Sequence, residues 1–80
     1  MTTHIYIVLH QDRHADPEVH AFTTPLQAVG KAHALAHEFA REPADVRVYL
    51  TRDMERAGWI WNCTYSGEGD GIRVQRIELK

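Results

Sequence analysis

A single cysteine, Cys63, cannot form an internal disulfide, so this chain is not stapled in the way small secreted domains often are. A cytoplasmic setting follows as the expectation. As a nucleophile Cys63 would need a histidine beside it, whereas between Asn62 and Thr64 it reads as a small core residue of a strand. Long hydrophobic runs are missing too. Ile5-Tyr6-Ile7-Val8-Leu9 falls far short of the roughly 18 residues a membrane helix needs and lacks the basic start of a signal peptide. It reads as a buried strand, and no membrane partner is expected. Nor does one sign of charge dominate. Nine basic and eleven acidic residues leave a formal charge of −2, and the basic residues are scattered, which disfavours a nucleic-acid partner.

What remains is the composition of a small folded domain. Of 80 residues, 44% are hydrophobic and 25% charged, which fits a single domain over 1–80 with no room for a second core. From His4 to His10 the pattern is β-branched and aromatic, with Ile5, Ile7 and Leu9 on one face and Tyr6 and Val8 on the other. Apolar residues on both faces suggest a central strand. A polar loop follows, and Thr24-Pro25-Leu26-Gln27 starts a helix with Thr at the N-cap and Pro at the first position. Ala28, Val29, Ala32, Leu35, Ala36, Phe39 and Ala40 form its apolar face. It must end before Pro43.

Residues 45–57 fit two periods at once. Val46, Val48 and Leu50 alternate as in a strand, while Val46, Leu50, Met54 and Ala57 recur as on a helix. A short helix is preferred, capped by Thr51 and stopped by Gly58. Trp59, Trp61, Cys63 and Tyr65 then share one face of a strand, and the turn-rich segment from Ser66 to Gly71 leads into a last strand from Ile72 to Leu79, completing a hairpin. The change of parity between Ile72, Val74 and Ile77, Leu79 predicts a bulge near Gln75 and Arg76. The expected fold is α+β: a three-stranded sheet in the order β-α-(short α or β)-β-β, with one main helix packed on one face. If a right-handed crossover sets the first strand parallel to the Trp59 strand, three features meet at one sheet edge. They are the loop from Asp12 to Glu18, the N-terminus of the Thr24 helix, and the glycine-rich hairpin tip.

Several groups at that edge carry chemistry. Asp12, Arg13, His14, Asp16, Glu68 and Asp70 form a polar cluster suited to contact with a partner, although polar loops need no site to explain them. The carboxylate spacing matches no dedicated calcium loop. Histidine is abundant, with six in the chain, and neutral imidazole is a common metal ligand. His33 and His37, four apart on the main helix, have the spacing to share a zinc ion, with His14 as a third ligand from the loop. Against zinc stands the ordinary role of boundary histidines, which pack their rings flat and keep a polar edge wet. Trp59, Trp61 and Tyr65, with Arg73 or Arg76 nearby, would offer stacking faces for single-stranded nucleic acid only if they lay on the exposed side of the sheet. A core role is the simpler one. No nucleophile, base and orienting group can be assembled from the order of residues alone, so an enzyme is not the expected reading and no cofactor is expected unless zinc.

Two stretches are similar to small single-domain proteins of actinobacteria and their phages: Asp12-Arg13-His14-Ala15-Asp16-Pro17-Glu18-Val19-His20-Ala21-Phe22-Thr23, and Gly58-Trp59 with Tyr65-Ser66-Gly67-Glu68-Gly69-Asp70. The resemblance implies the same order of helix and hairpin and carries no catalytic or binding role. The expectation is a non-enzymatic accessory domain that binds a macromolecule, above all a protein, with a homodimer open to it through an edge strand.

Overall fold

The computed structural model describes residues 3–12, 16–66 and 69–79. It contains β1 (Thr3–Gln11), β2 (Glu18–Phe22), α1 (Pro25–Phe39), a 3₁₀ turn (Pro43–Asp45), β3 (Arg47–Val48), α2 (Arg52–Arg56), β4 (Trp59–Thr64) and β5 (Gly71–Leu79). The fold is α+β with one main helix. The sheet, however, has five strands rather than three, all neighbours antiparallel, in the order β2-β1-β5-β4-β3.

The two additional strands explain themselves physically. In β2, His20 and Phe22 turn toward the helix while Val19 and Ala21 turn away, a weak alternation of five residues that Asp16-Pro17 makes look like loop. β3 is only two residues long. The interval 45–57 therefore contains both structures its two periods imply: a strand at Arg47–Val48, then a five-residue helix. Thr51 caps that helix, accepting from the Met54 amide at 3.2 Å, and Gly58 stops it with φ of 90°.

Both β1 and β4 run antiparallel to β5, which lies between them, so β1 and β4 point the same way and end at the same sheet edge. Gln11 and Thr64 both pair with Gly71 there. The strand ends that carry the first and third expected features thus lie side by side. The N-terminus of α1 does not join them, because β2 returns the chain to the opposite edge, with Phe22 paired to Tyr6, before the helix begins. It is the C-terminal end of α1 that reaches the site, through Phe39.

Thr24 caps α1 by accepting from the Gln27 amide at 3.3 Å, and the helix ends at Ala40 ahead of Pro43. Its buried residues are Ala28, Ala32, Leu35 and Ala36, a stripe of small side chains that lets the helix lie close to the sheet. Beneath it lie Val8, Cys63, Tyr65, Ile72 and Val74, with Tyr6, Phe22 and Trp61 at the margin. Burying these on one face is the main stabilising term for a domain of this size.

The expected bulge is displaced. β5 pairs without a break against β1 from Leu79 to Gly71, and the irregularity lies in β4, where Trp59 pairs with Gln75 and Trp61 with the adjacent Val74. Ile60 is the additional residue. The parity change in β5 has another cause: Ile72 and Val74 face the helix, and Ile77 and Leu79 face away from it, so both faces carry apolar groups. The bulge also separates the tryptophans. Trp61, Cys63 and Tyr65 face α1, and Trp59 faces the other side.

Candidate functional site

At the shared edge a run of polar side chains enters the core. His10 is on the helix-facing side of β1, paired with Ile72 on one flank and Glu18 on the other, and only 2% exposed. Phe39 meets its ring edge to face at 4.5 Å between centroids. Its Nε2 lies 2.8 Å from the Tyr65 hydroxyl, and Tyr65 in turn donates to Asp12 Oδ2 at 2.5 Å. Since the one phenolic proton goes to Asp12, the Tyr65 oxygen accepts, and Nε2 of His10 carries a hydrogen. The other ring nitrogen faces Glu18 at 3.9 Å, and Glu18 also contacts His20 at 3.4 Å. Asp12, Tyr65, His10, Glu18 and His20 thereby form a continuous polar track from the edge across β1 to β2.

Burial pushes the Tyr65 phenol well above its usual range, and the hydrogen bond and charge of Asp12 reinforce the shift, followed by the charge of Asp70. Tyr65 is therefore a neutral donor at physiological pH, not a nucleophile. Cys63 is likewise passive. It is fully buried, and burial raises its thiol to about 11, partly offset by a hydrogen bond to the Ile72 backbone.

The polar cluster anticipated at this edge divides. Asp70 is 4% exposed; its carboxylate accepts from Ser66 at 2.9 Å and its carbonyl from the Tyr65 amide at 3.2 Å. It organises the hairpin tip from inside, with Gly69 supplying a positive φ of 91°. Asp12 is half-buried and engaged by Tyr65, and Asp16 is exposed. Arg13, His14 and Glu68 lie outside the described residues. His33 and His37 are both exposed on α1 with ring centroids 4.4 Å apart. Among the described residues no group of three His, Cys, Asp or Glu side chains is placed to hold a metal. The third proposed zinc ligand, His14, is not among those residues.

A second site lies on the face of the sheet away from α1. There the odd-numbered residues of β1 stand beside Val19 and Ala21 of β2 and Arg73, Gln75, Ile77 and Leu79 of β5. α2 packs against β4 at one side of the sheet. A pocket of about 180 Å³ opens here, lined among others by Leu9, Tyr49, Met54, Trp59, Asn62 and Arg73. The Arg73 guanidinium sits over the Trp59 ring, 4.4 Å from its centroid. Arg73 Nε is buried and has no hydrogen-bond partner among the described residues.

The sequence did not pair His10 with Tyr65, and it set Arg73 or Arg76 near Trp59 only as an accessory to a platform shared with Trp61 and Tyr65. The first pair is separated by 55 positions, although the shared parity of Tyr6, Val8 and His10 does place His10 on a core-facing row. The second depends on a bulge that strand alternation does not reveal. Tryptophans on opposite faces do not form the joint stacking platform that Trp59, Trp61 and Tyr65 offered as the alternative to a core role. Among the described residues no helix is long and apolar enough to cross a membrane. No family model matches the chain, and no curated protein or solved structure matches it either.

Proposed function

We propose that this is a non-enzymatic interaction domain whose working surface is the sheet face opposite α1, covered in use by a protein partner. One observation carries the reading: Ile5, Ile7, Leu9 and Ile77 lie side by side there, only partly buried, with Val19 62% and Leu79 45% exposed at the margins. Layers of secondary structure bury an apolar sheet face against something, and α1 occupies the other side. Charge narrows the partner. The described strand residues of this face include Arg47 and Arg73 and no carboxylate, so an apolar surface rimmed by acidic groups is complementary to it.

The test is site-specific photo-crosslinking in the native cell, with the reactive group at Val19 on the open face or at His33 on the exposed side of α1. Capture of one protein from Val19 but not from His33, through a segment containing apolar and acidic residues, and its loss on Ile7→Lys, is the expected result. Equal capture from both positions, or capture only of a second copy of this chain, overturns the reading.

A second reading has one observation in its favour. With ring centroids 4.4 Å apart on an exposed helical turn, His33 and His37 suit a zinc module completed by a loop histidine such as His14.

A further inference from the structure

We propose that the pocket beneath Arg73 is a binding site for a carboxylate carried on a short apolar stem. The inference rests on the protein-binding reading when the carboxylate is an acidic group of the partner.

Arg73 is an unusual arginine in this setting. It projects from β5, the centre of the sheet, where a cation is normally met by a carboxylate. No described residue lining the pocket is acidic, and among the described residues no carboxylate pairs with Arg73. Its guanidinium is instead held over Trp59. Stacking fixes the plane of the group and removes the rotamer freedom that a flexible cation would lose on binding an anion. Arg73 Nε is already desolvated and has no acceptor among the described residues, a state rare for buried donors. A planar acid matches the fork of a guanidinium, because two parallel N–H donors meet two oxygens.

The size of the pocket sets the rest of the ligand. About 180 Å³ corresponds to the liquid volume of roughly six waters at about 30 Å³ each, which suits a side chain or a small organic acid and not a nucleotide. Leu9, Met54 and Trp59 supply apolar walls for a few methylene groups, and Asn62 adds an amide. The Asn62 side chain is positioned by its donation to the Tyr49 carbonyl at 3.4 Å. An aspartate or glutamate side chain, a free peptide C-terminus and a short free acid share this chemistry.

The test uses the whole chain in solution and reads the ¹H–¹⁵N signals of Arg73 Nε–H, the Trp59 indole and the Asn62 amide. Propionate is titrated beside propionamide and beside sodium chloride at matched ionic strength. The expected result is saturable shifts at these three groups with propionate alone, weakened at least tenfold in Arg73→Gln and several-fold in Arg73→Lys. The same response to chloride or propionamide, or no saturation, overturns the proposal. If neither variant folds, the contrast between acid and amide on the native chain still decides it.

A blocked dipeptide containing glutamate, run against its glutamine twin, identifies the source. Tighter binding than propionate assigns the site to a partner's acidic group, and equal or weaker binding assigns it to a free acid. Because the titration needs no partner, it can succeed where photo-capture from Val19 fails, and the two ideas fall separately.

Discussion

The Tyr65 hydroxyl donates to Asp12 at 2.5 Å while accepting from His10, so one phenol joins the ends of β1 and β4 across 53 positions of sequence. Replacing Tyr65 with Phe keeps the ring against Phe39 but leaves a buried His10 donor without its acceptor. An unsatisfied buried polar group costs about 1–3 kcal/mol. Tyr65→Phe is therefore expected to lower the urea midpoint at constant slope, and an unchanged midpoint would show that the track is not a stabilising element.

Alkaline pH should weaken the fold by a defined route. The Cys63 thiol is raised from 9.0 to about 11, so the folded state holds its proton more tightly than the unfolded chain does. That contribution is complete below pH 9 and is lost as pH rises toward 11. Tyr65 acts in the same direction, beginning above the ordinary phenol value of 10.0. Stability measured from pH 8 to 11 should fall, and Cys63→Ala should flatten the first part of the fall. The same burial predicts that a thiol reagent at pH 8 labels the native chain at least tenfold more slowly than the urea-unfolded chain.

Two glycines should respond in opposite senses to alanine. At Gly71 a Cβ would meet the Cys63 carbonyl oxygen at 2.6 Å, and backbone there cannot yield without disturbing the β4–β5 pairing. Gly71→Ala should destabilise by about 1–3 kcal/mol, as overpacking does. At Gly30, inside α1, nothing lies within 4 Å of the added carbon. Gly30→Ala should stabilise by about 0.5–1 kcal/mol through backbone entropy. Thermal melts of the two variants decide both, and matching signs would contradict the packing described at these sites.

For the zinc reading, purified chain is expected to bind one equivalent of Zn²⁺ in calorimetry, with affinity at least tenfold lower in the His33→Ala, His37→Ala double variant. Binding that survives the double change, or that exceeds one equivalent and spreads over all six histidines, removes His33 and His37 as a specific site.

Much of the frame could be read from local chemistry. Thr24 and Pro25 announce the main helix, Gly58 the end of the short one, and the two-sided apolar pattern of residues 5–9 an interior strand; these signals act within a few residues. β2 was hidden because an edge strand with Val19 and Ala21 turned outward needs little hydrophobic contrast, and β3 because two residues have no period. The sites were least legible. His10 acquires its meaning only from Tyr65, and Arg73 only from a bulge at Ile60 that moves Trp59 to its side of the sheet. Such relations are set by strand register, which the chain specifies collectively and no short motif encodes.

The place of β5 bears on how the molecule assembles. It is the last strand in sequence yet the middle of the sheet, and in the hydrogen-bonded ladder β1–β2 on one flank and β3–β4 on the other are joined through it. β4 reaches it through a short hairpin, whereas β1 pairs with it from the far end of the sequence, Thr3 opposite Leu79, and the hydrophobic layer beneath α1 is complete only with Ile72 and Val74 in place. Closing the β1–β5 pair therefore spans nearly the whole sequence, and the fold carries that long-range loop-closure cost in its central ladder.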